Sequence, residues 1–417
     1  MERETSTLEW KENISNRFLK TVSAYANYGT GKILFGVDNT GVTVGLDDPV
    51  GACLRIENMI NDSLDPCPQF TLEPDPATGI VTLTVYEGPD KPYLYGGKAY
   101  RRSDSASTAV DRLEYGRLVL QGTNQTYDRL PSAEQDLSFD VLEARAQEKL
   151  GISALDGNVM RSLGLAQSDG TYVNAAALLA DVNAFPGTDV TRFGASISEI
   201  QDREIYLGTS VISQLEGALG VYRRYYHREV IEGSERKTVE LVPEDAFREA
   251  LANAIVHRTW DVHGNITVNM FPDRIEVTSP GGLPEGITPD EYLGGHVSVL
   301  RNPVLAGVFF RLDYIETLGT GILRIRRAYE GSGHTPSFEL RAASIVIGLP
   351  VIGAHALRDE ERLVLDAMPS GVPLARASIE KRAGIGKDRT LRALDSLLAK
   401  GIVEKTGRAR ATRYTRR

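Results

Sequence analysis

The sequence is poor in cysteine and contains no long apolar run. Among its 417 residues there are two cysteines, Cys53 and Cys67. Two cysteines provide neither a disulfide framework nor a four-ligand zinc site, so both are predicted to be reduced. No apolar stretch approaches the roughly 20 residues needed to span a bilayer, and the N-terminus lacks the layout of a signal peptide. These absences predict a cytoplasmic protein without membrane contact.

Positive charge is scarce over most of the chain and concentrated at its end. The net charge is −9, from 47 Lys and Arg against 56 Asp and Glu. Residues 358–417 carry 15 basic and 8 acidic side chains, a net of +7, which leaves −16 for residues 1–357. An acidic body with a basic tail indicates one localised anionic partner. The length predicts two to four domains.

The stretch FREALANAIVHR, residues 247–258, has the apolar spacing of a helix packed against a core. Glu249, Asn253 and His257 follow one another at intervals of four and therefore share one helical face. An Asn oxygen can bind a hard cation such as Mg²⁺, and a Glu can orient or deprotonate a water molecule. The spacing fits a hydrolytic site, and it also fits an ordinary polar helix edge.

Glycine is grouped ahead of a second apolar helix. Gly319, Thr320 and Gly321 precede a segment with apolar residues at Ile322 and Ile325. Glycines before a helix let backbone N–H groups approach a phosphate, and the helix N-terminus favours its negative charge. A structural turn has the same composition, so this motif alone leaves both interpretations open.

Taken in order, ANAIVHR, SPGGLPEGI, RNPVLA and ETLGTGI resemble the divergent GHKL-type ATPase domain (gyrase, histidine kinase and MutL type) of bacterial predicted transcriptional regulators. The resemblance covers residues 240–350. It implies an α/β sandwich that binds ATP with Mg²⁺, in which Asn253 is the metal ligand and Glu249 is the catalytic residue if ATP is hydrolysed. The residues that it implies for cofactor binding are Asn253, His257, Arg258, Gly281, Gly282, Gly319, Thr320 and Gly321.

The chain departs from that family pattern at the base-binding end. An Asp that would contact the adenine amine is expected after the strand IEVT, where this sequence has Ser279 and Pro280. Leu283 stands at the third glycine position of the same motif. Weak nucleotide binding, binding of another ligand and loss of ligand binding are all compatible with these replacements.

Residues 1–120 alternate predicted helices and strands with glycine-rich turns. Their segments LEWKE, SAYANYGTGKILFGVDNTG, VGL and YRRS resemble the Schlafen-type, Alba-like nucleic-acid-binding domain. Lys11, Arg101 and Arg102 are the candidates for contacts with nucleic-acid phosphates.

The same resemblance raises the possibility of RNA cleavage. In eukaryotic Schlafen nucleases, three acidic residues cleave structured RNA with a divalent metal. The first two match Glu4 and Glu9, whereas the third falls on Asn39, and an amide binds Mg²⁺ less well than a carboxylate. Asp38 is the candidate substitute, although neighbouring residues of a strand point to opposite faces.

The middle of the chain is predicted to connect these two domains. Residues 121–136 are polar and contain one proline, which is typical of a linker. Residues 137–239 are predicted to form a connector with helices, including a long one over residues 209–226. That helix is expected to direct toward the core an apolar stripe of Val211, Leu215, Leu219 and Tyr222.

Residues 353–417 have the pattern of a winged helix-turn-helix, with three helical segments followed by an alternating stretch that turns at Gly407. The third helix begins near residue 387, where such helices enter the major groove, and the wing is suited to phosphates or a minor groove. The side chains predicted to contact nucleic acid are Lys387, Arg389, Thr390 and Arg392 on the helix and Lys405, Arg408, Arg410 and Arg413 on the wing.

The sequence therefore predicts an α/β (α+β) multidomain protein. Its predicted parts are an Alba-like module (1–120), a linker (121–136), a connector (137–239), a GHKL-like sandwich (240–352) and a winged helix (353–417). The favoured function is a DNA-binding transcriptional regulator, dimeric on double-stranded DNA, with a possible nucleotide effector. A metal-dependent RNase, a weak ATPase and a protein-interaction scaffold are the alternatives.

Overall fold

The computed structural model describes residues 4–103, 106–194, 196–232, 235–284, 286–295, 299–315, 319–352, 359–369, 371–399, 402–407 and 412–416. The chain has a mixed α/β, multidomain fold, which confirms the predicted fold class. It divides into two compact units, Met1–Thr126 and Tyr127–Arg417. Both cysteines are free. The predicted nucleic-acid contacts Arg408 and Arg410 lie outside the described residues.

In its described residues, the first unit contains a four-stranded sheet, three helices and two separate two-stranded sheets. Its elements, in chain order, are β1 (Leu8–Lys11), α1 (Phe18–Tyr28), β2 (Gly31–Phe35), α2 (Pro49–Ser63), β3 (Leu64–Asp65), β4 (Phe70–Asp75), β5 (Ile80–Val85), β6 (Leu94–Tyr95), β7 (Tyr100–Ser103), β8 (Ala106–Ala109) and α3 (Arg112–Gly122). The strand order is β1-β2-β5-β4, with β1 parallel to β2 and the other neighbours antiparallel.

Helix α1 is almost entirely buried. Phe18 and Tyr25 on α1 belong to the same core as Ile33 and Phe35 on β2. The helix ends at Gly29, whose φ of 140° is a conformation that residues with a side chain rarely adopt. The tight turn that follows lets β2 pair beside the N-terminal strand.

Gly41 and Gly45 lie in a loop with a single bridge, between Val37 and Thr43. Both glycines have positive φ, and a Cβ on Gly45 would lie 2.8 Å from the Thr78 carbonyl oxygen. Because the loop lies against the β4–β5 turn, its backbone cannot extend into two paired strands.

The second unit contains a six-stranded sheet covered by long helices. Its elements up to residue 350 are α4 (Asp140–Leu150), α5 (Gly157–Ser162), α6 (Asn174–Leu179), β9 (Thr188–Phe193), β10 (Ile200–Tyr206), α7 (Val211–Tyr226), β11 (His227–Glu232), β12 (Glu235–Glu240), α8 (Glu244–His257), β13 (Ile266–Met270), β14 (Arg274–Pro280), α9 (Pro289–Gly294), α10 (Pro303–Arg311), α11 (Gly321–Ala328), β15 (Ser337–Leu340) and β16 (Ser344–Pro350). The strand order is β10-β9-β13-β14-β16-β15.

Two strands of this sheet, β9 and β10, come from the segment predicted as a connector. Strand β9 pairs in parallel with β13, so residues on both sides of position 240 share one sheet and one core. Helix α7 packs into that core through the predicted stripe, whose exposed fractions range from 0% to 6%. The four domain boundaries drawn from the sequence stay a prediction.

The segment predicted as a linker contains a buried carboxylate. Asp128 lies in a short 3₁₀ turn, Tyr127–Arg129, and is fully buried. Its Oδ2 accepts hydrogen bonds from the backbone N–H groups of Val304 and Leu305, at 2.8 and 3.1 Å. Asp128 therefore caps the N-terminus of α10, where a negative charge is favoured.

The C-terminal residues form three helices and a two-stranded antiparallel sheet. These elements are α12 (Asp359–Asp366), α13 (Arg376–Ala383), α14 (Lys387–Ala399), β17 (Val403–Thr406) and β18 (Arg413–Arg416). They surround their own small apolar core, which includes Ile379, Leu394 and Leu397. Among the described residues, no helix has the length and hydropathy required to cross a membrane.

Candidate nucleotide and nucleic-acid sites

Helix α8 brings Glu249 and Asn253 against the first residue of α11. The apolar side of α8 is buried in the core of the second unit, which leaves its polar side facing α11. Asn253 Nδ2 donates to Glu249 Oε1 at 3.2 Å. A Cβ on Gly321 would overlap Asn253 Nδ2 and lie 2.6 Å from Glu249 Oε1. A side chain at position 321 would therefore displace the Asn253 amide or the Glu249 carboxyl group. Among the described residues, the Asn253 Oδ1 atom has no hydrogen-bond partner.

Glu249 is a buried carboxyl, 5% exposed, that forms no ion pair within the part of the chain that the structure describes. Burial raises its pKa, while the charge of Arg324 and the hydrogen bond from Asn253 lower it by smaller amounts. A carboxyl with a raised pKa is suited to accept a proton from a nearby water. Glu249 is thus chemically competent for the role that the sequence predicts.

His257 lies one turn beyond Asn253, beside Arg301. Burial lowers the pKa of His257 to about 4, and the positive charge of Arg301 contributes to the same shift. The imidazole is therefore neutral at neutral pH. Arg301 donates to the carbonyl oxygens of His257 and Gly282, at 2.8 and 3.0 Å, and so connects α8 to the glycine turn after β14.

A small cavity of about 60 Å³ lies between α8, α9 and the start of α11. Most small-molecule sites measure roughly 300–1,000 Å³, so a nucleotide needs more space than this conformation provides. The cavity is lined by Asn253, His257, Pro284, Ile287, Tyr292, Gly295, Val299, Arg301, Gly319, Gly321, Ile322 and Ile345. Of the predicted cofactor-binding residues, Asn253, His257, Gly319 and Gly321 meet here.

Arg301 is a lining residue that sequence reasoning missed. In the sequence, Arg301 begins the motif RNPVLA, whose Pro303 occupies the first turn of α10. The sequence does contain a signal for Arg301. It is a basic residue that lies one position before Asn302, the N-cap residue of α10, within a motif that carries the resemblance.

At the base-binding end of the site, the described residues provide no acidic group. Ser279 stands where the family pattern expects Asp, and its hydroxyl donates to the Ala254 carbonyl oxygen at 2.9 Å. Gly281 has a φ of 106°, and a Cβ there would overlap the Thr259 hydroxyl. The residues therefore fit the phosphate and cation end of a magnesium nucleotide, whereas none of them offers a carboxylate to the adenine amine.

Arg258 and Thr320 do not line the cavity, although both were predicted to bind cofactor. Arg258 is fully buried and lies over the Trp260 ring at 4.4 Å. Its guanidinium donates to the carbonyl oxygens of Val262, at 3.0 Å, and Gly264. Burial lowers its pKa to about 10. Arg258 therefore holds the loop after α8, and Thr320 is the N-cap residue of α11.

In the first unit, the predicted catalytic Glu9 is held between two cations. Glu9 is 4% exposed, and its Oε2 accepts from the Arg102 guanidinium at 2.8 Å. Its Oε1 pairs with the Lys11 ammonium. The side chains of Lys11 and Arg102 are thus engaged by Glu9 and are not positioned for nucleic-acid phosphates. Glu4 Oε1 accepts from the Trp10 backbone N–H at 2.9 Å.

Asp38 stabilises a turn. Its Oδ1 accepts from the Thr40 N–H, the Thr40 hydroxyl and the Val42 N–H at 2.7–2.9 Å. These hydrogen bonds lower the pKa of Asp38, and the bond from the Thr40 hydroxyl contributes most. Among the described residues, the group of three ligating side chains close enough to share a metal is His227, Glu240 and Glu244. Glu4, Glu9 and Asp38 do not form such a group.

The C-terminal helix α14 presents most of its predicted contacts to solvent. Lys387 and Arg392 are exposed, as are Lys405 and Arg413 on the two strands. Arg389 is exposed and paired with Glu360 at 2.6 Å. Thr390 is an exception, because it is fully buried and its hydroxyl donates to the Gly386 carbonyl oxygen at 3.1 Å. Its side chain cannot contact a nucleic acid.

Comparison with known proteins gives matches for two parts of the chain. Residues 4–111 match the family "Schlafen, AlbA_2", and residues 263–349 match "Putative ATP-dependent DNA helicase recG C-terminal". The second match begins after α8, so the placement of Glu249 and Asn253 rests on the geometry described above. No curated protein matches.

Two solved structures are similar at low identity. The DIP2311 protein from Corynebacterium diphtheriae is 20% identical, with 99% of this chain and 92% of that chain covered and a TM-score of 0.48. The N-terminal domain of a "Putative ATP-dependent DNA Helicase RecG-related Protein" from Nitrosomonas europaea is 24% identical, with coverage of 25% and 80% and a TM-score of 0.19. The chain is therefore similar to Schlafen AlbA_2 domains over residues 4–111 and to the ATPase-like RecG C-terminal domain over residues 263–349, which confirms both predicted resemblances.

Proposed function

We propose that this protein is a DNA-binding transcriptional regulator whose central domain senses a nucleotide. The observation that carries the proposal is the surface of α14. Lys387 and Arg392 are exposed there and form no ion pair within the described residues. Leu394 and Leu397 of the same helix are buried in the apolar core of the C-terminal residues. Three helices followed by a two-stranded sheet is the arrangement of a winged helix, whose third helix reads the major groove.

The strands after α14 extend the positive surface. Lys405 and Arg413 are exposed on β17 and β18, where a wing would contact phosphates. The concentration of basic residues in this segment, against an acidic remainder, supports a localised contact with DNA. In this proposal the protein acts in the cytoplasm as a homodimer on a pseudo-palindromic site.

The central site supports nucleotide sensing more than fast hydrolysis. Asn253 would hold Mg²⁺ through its free Oδ1, and Gly319 and Gly321 would allow the backbone to approach phosphates. When bound, Mg²⁺ would supply neutralisation of the phosphate charge. Glu249 would accept a proton from water if hydrolysis occurs. Ser279 provides no carboxylate for the adenine amine, which favours weak binding with little discrimination between bases.

The test of DNA binding is fluorescence anisotropy with duplex DNA at several salt concentrations. The variant Lys387→Ala/Arg392→Ala should bind more weakly, and the slope of log K against log salt should fall by about 1.8, or about 0.9 per phosphate contact. The matched control is Lys381→Ala/Arg382→Ala, which removes two exposed cations from the end of α13. Equal losses in both variants would show that α14 has no special role.

The test of sensing adds Mg-ATP and Mg-GTP to the same titration. A nucleotide-dependent shift in DNA affinity that disappears in Asn253→Ala supports the proposed role of the central site. Nucleotide that binds without changing DNA affinity, or a shift that persists in Asn253→Ala, contradicts it.

A further inference from the structure

The cations expected to contact nucleic acid in the first unit are engaged by carboxylates. Lys11 and Arg102 pair with Glu9, and Arg101 pairs with Glu114 at 3.4 Å. If this unit binds a polyanion, other cations must provide the contacts. Lys98 and Arg112 are exposed, and neither forms an ion pair within the described residues of the unit.

Lys98 and Arg112 line the same cavity, although they lie on different elements. The chain turns at Gly96 and Gly97, both with positive φ, so that Tyr95 and Lys98 exchange backbone hydrogen bonds at 2.9 and 3.2 Å. The Val110 N–H then donates to the Ala99 carbonyl oxygen at 3.0 Å, which places the start of α3 beside this turn. The result is a cavity of about 330 Å³.

The cavity has the size and the groups to hold one nucleotide. Its volume lies within the range of roughly 300–1,000 Å³ that is usual for small-molecule sites. Tyr115 follows Arg112 by three residues on α3 and is 39% exposed, so its ring is available to a base. Asp111 also lines the cavity, and its Oδ1 accepts from the Glu114 N–H at 2.8 Å as the cap of α3. The two cations outnumber this one carboxylate.

The aromatic ring favours a single strand over a duplex. In a duplex each base is stacked between its neighbours and cannot enter a cavity, whereas a single strand offers its bases to protein side chains. The phosphates on either side of an inserted base would lie near Lys98 and Arg112. Sites for single-stranded nucleic acids combine cations for the backbone with aromatic rings for the bases in this way.

We propose that Lys98, Arg112 and Tyr115 form a binding site for one nucleotide unit of a single-stranded nucleic acid. The site rests on the proposed nucleic-acid function and assigns a separate contact to the first unit. Lys98 and Arg112 bind the phosphates, and the Tyr115 ring stacks on the base.

The experiment measures anisotropy of labelled oligo(dT), oligo(U) and duplex DNA with the full chain. Lys98→Ala/Arg112→Ala should lower single-strand affinity by about tenfold and reduce the salt slope by about 1.4, or about 0.7 per cation. Tyr115→Ala should lower it by about fivefold or more, and Tyr115→Phe should retain it because the stacking ring remains. The matched control Arg17→Ala/Arg55→Ala removes two exposed cations of the same unit.

The outcomes separate this site from the proposed function. Single-strand binding that is lost in Lys98→Ala/Arg112→Ala and kept in the control, with duplex binding unchanged, supports the site. Single-strand binding that is equal in the variant and the parent overturns the site and leaves the regulator in place. If the parent protein binds duplex DNA but no single strand, the proposed site is likewise overturned and the proposed regulator is unaffected. If AMP competes with the labelled oligomer at an equal concentration, the ligand of the site is a free nucleotide. That result would overturn the assignment to a single-stranded nucleic acid.

Discussion

Glu9 in the first unit and Glu249 in the second are buried to the same degree and have opposite surroundings. Their exposed fractions are 4% and 5%. Glu9 is bonded to two cations, Arg102 and Lys11. Glu249 accepts one hydrogen bond from the neutral amide of Asn253, and its pKa is raised by burial. Because burial raises the pKa of Glu249, this carboxyl holds its proton more readily than a solvated one does.

This difference distinguishes a carboxylate that stabilises the fold from one that is able to take part in a reaction. To bind a metal, Glu9 would have to exchange two cations that already satisfy both of its oxygens. Within the described residues, Glu249 has no paired cation to displace, and the neighbouring Asn253 Oδ1 has no hydrogen-bond partner. The surroundings of the two residues therefore argue against the nuclease alternative more strongly than against the ATPase alternative.

The most direct way to break this comparison is to remove the cation of Glu9. Arg102→Ala should destabilise the first unit by about 3–5 kcal/mol, because it leaves a buried carboxylate without its main partner. The measurement is urea unfolding followed by Trp10 fluorescence, in a Trp260→Phe background so that one tryptophan reports on the first unit.

Arg101→Ala is the matched control for this prediction. Its side chain is 54% exposed and pairs with Glu114 at 3.4 Å, so the expected loss is below about 1 kcal/mol. Similar losses in the two variants would mean that the Glu9–Arg102 pair is not the buried anchor of the unit.

The next largest effect is expected where glycine contacts Glu249. Gly321→Ala places a methyl group against Asn253 and Glu249. Overpacking of this kind costs up to about 3 kcal/mol, and it should also reduce Mg-ATP binding, because the Asn253 amide must move. Unfolding and calorimetric titration measure the two effects.

Gly307→Ala provides the comparison for Gly321→Ala. Gly307 lies within helix α10, and a Cβ there meets nothing within 4 Å. Because alanine favours a helix, this variant should be neutral or stabilised by up to about 1 kcal/mol. If Gly321→Ala behaves in the same way, the close contact at α8 does not constrain the site.

Local pattern predicted the elements that hold the central site. The spacing of Glu249 and Asn253 gave helix α8 and its polar face, and the glycines gave the start of α11. Thr390 shows that the same reasoning could have gone further. It precedes Leu394 by four residues and Leu397 by seven, so helical periodicity already placed it on the buried side.

Other features depend on contacts between distant residues and leave no local pattern. Arg102 reaches Glu9 across 93 positions, and Asp128 caps a helix that begins at Pro303. Strand β9 joins the sheet through β13, far along the chain. A surface linker and a buried cap have the same polar composition, so only the folded chain separates them.

The pH dependence of stability sharpens the contrast between the two units. The pKa of His257 is about 4 in the folded chain and 6.5 in an ordinary setting, so the folded state disfavours protonation. Stability from the neutral imidazole is complete above pH 6.5 and is lost as the pH falls from 6.5 toward 4. At about pH 5 the loss should reach about 2 kcal/mol.

The measurement compares urea unfolding of the parent and His257→Gln at about pH 7.5 and about pH 5. The raised pKa of Glu249 acts in the opposite direction, but it is present in both proteins and cancels in the difference. Parallel losses of stability in the parent and the variant would show that His257 does not titrate in this window.

The smallest effect on stability is expected at Arg389, which forms an exposed ion pair where Arg102 forms a buried one. Arg389 on α14 is 56% exposed and pairs with Glu360 on α12. Because solvent screens this pair, Arg389→Ala should cost below about 1 kcal/mol, yet it should weaken duplex DNA binding and lower the salt slope by about 0.9. Glu360→Gln removes the same pair while keeping the cation, so its DNA affinity should equal or exceed that of the parent. A loss of DNA affinity in Glu360→Gln as large as that in Arg389→Ala would mean that the pair acts by holding α14 in place rather than by presenting a charge.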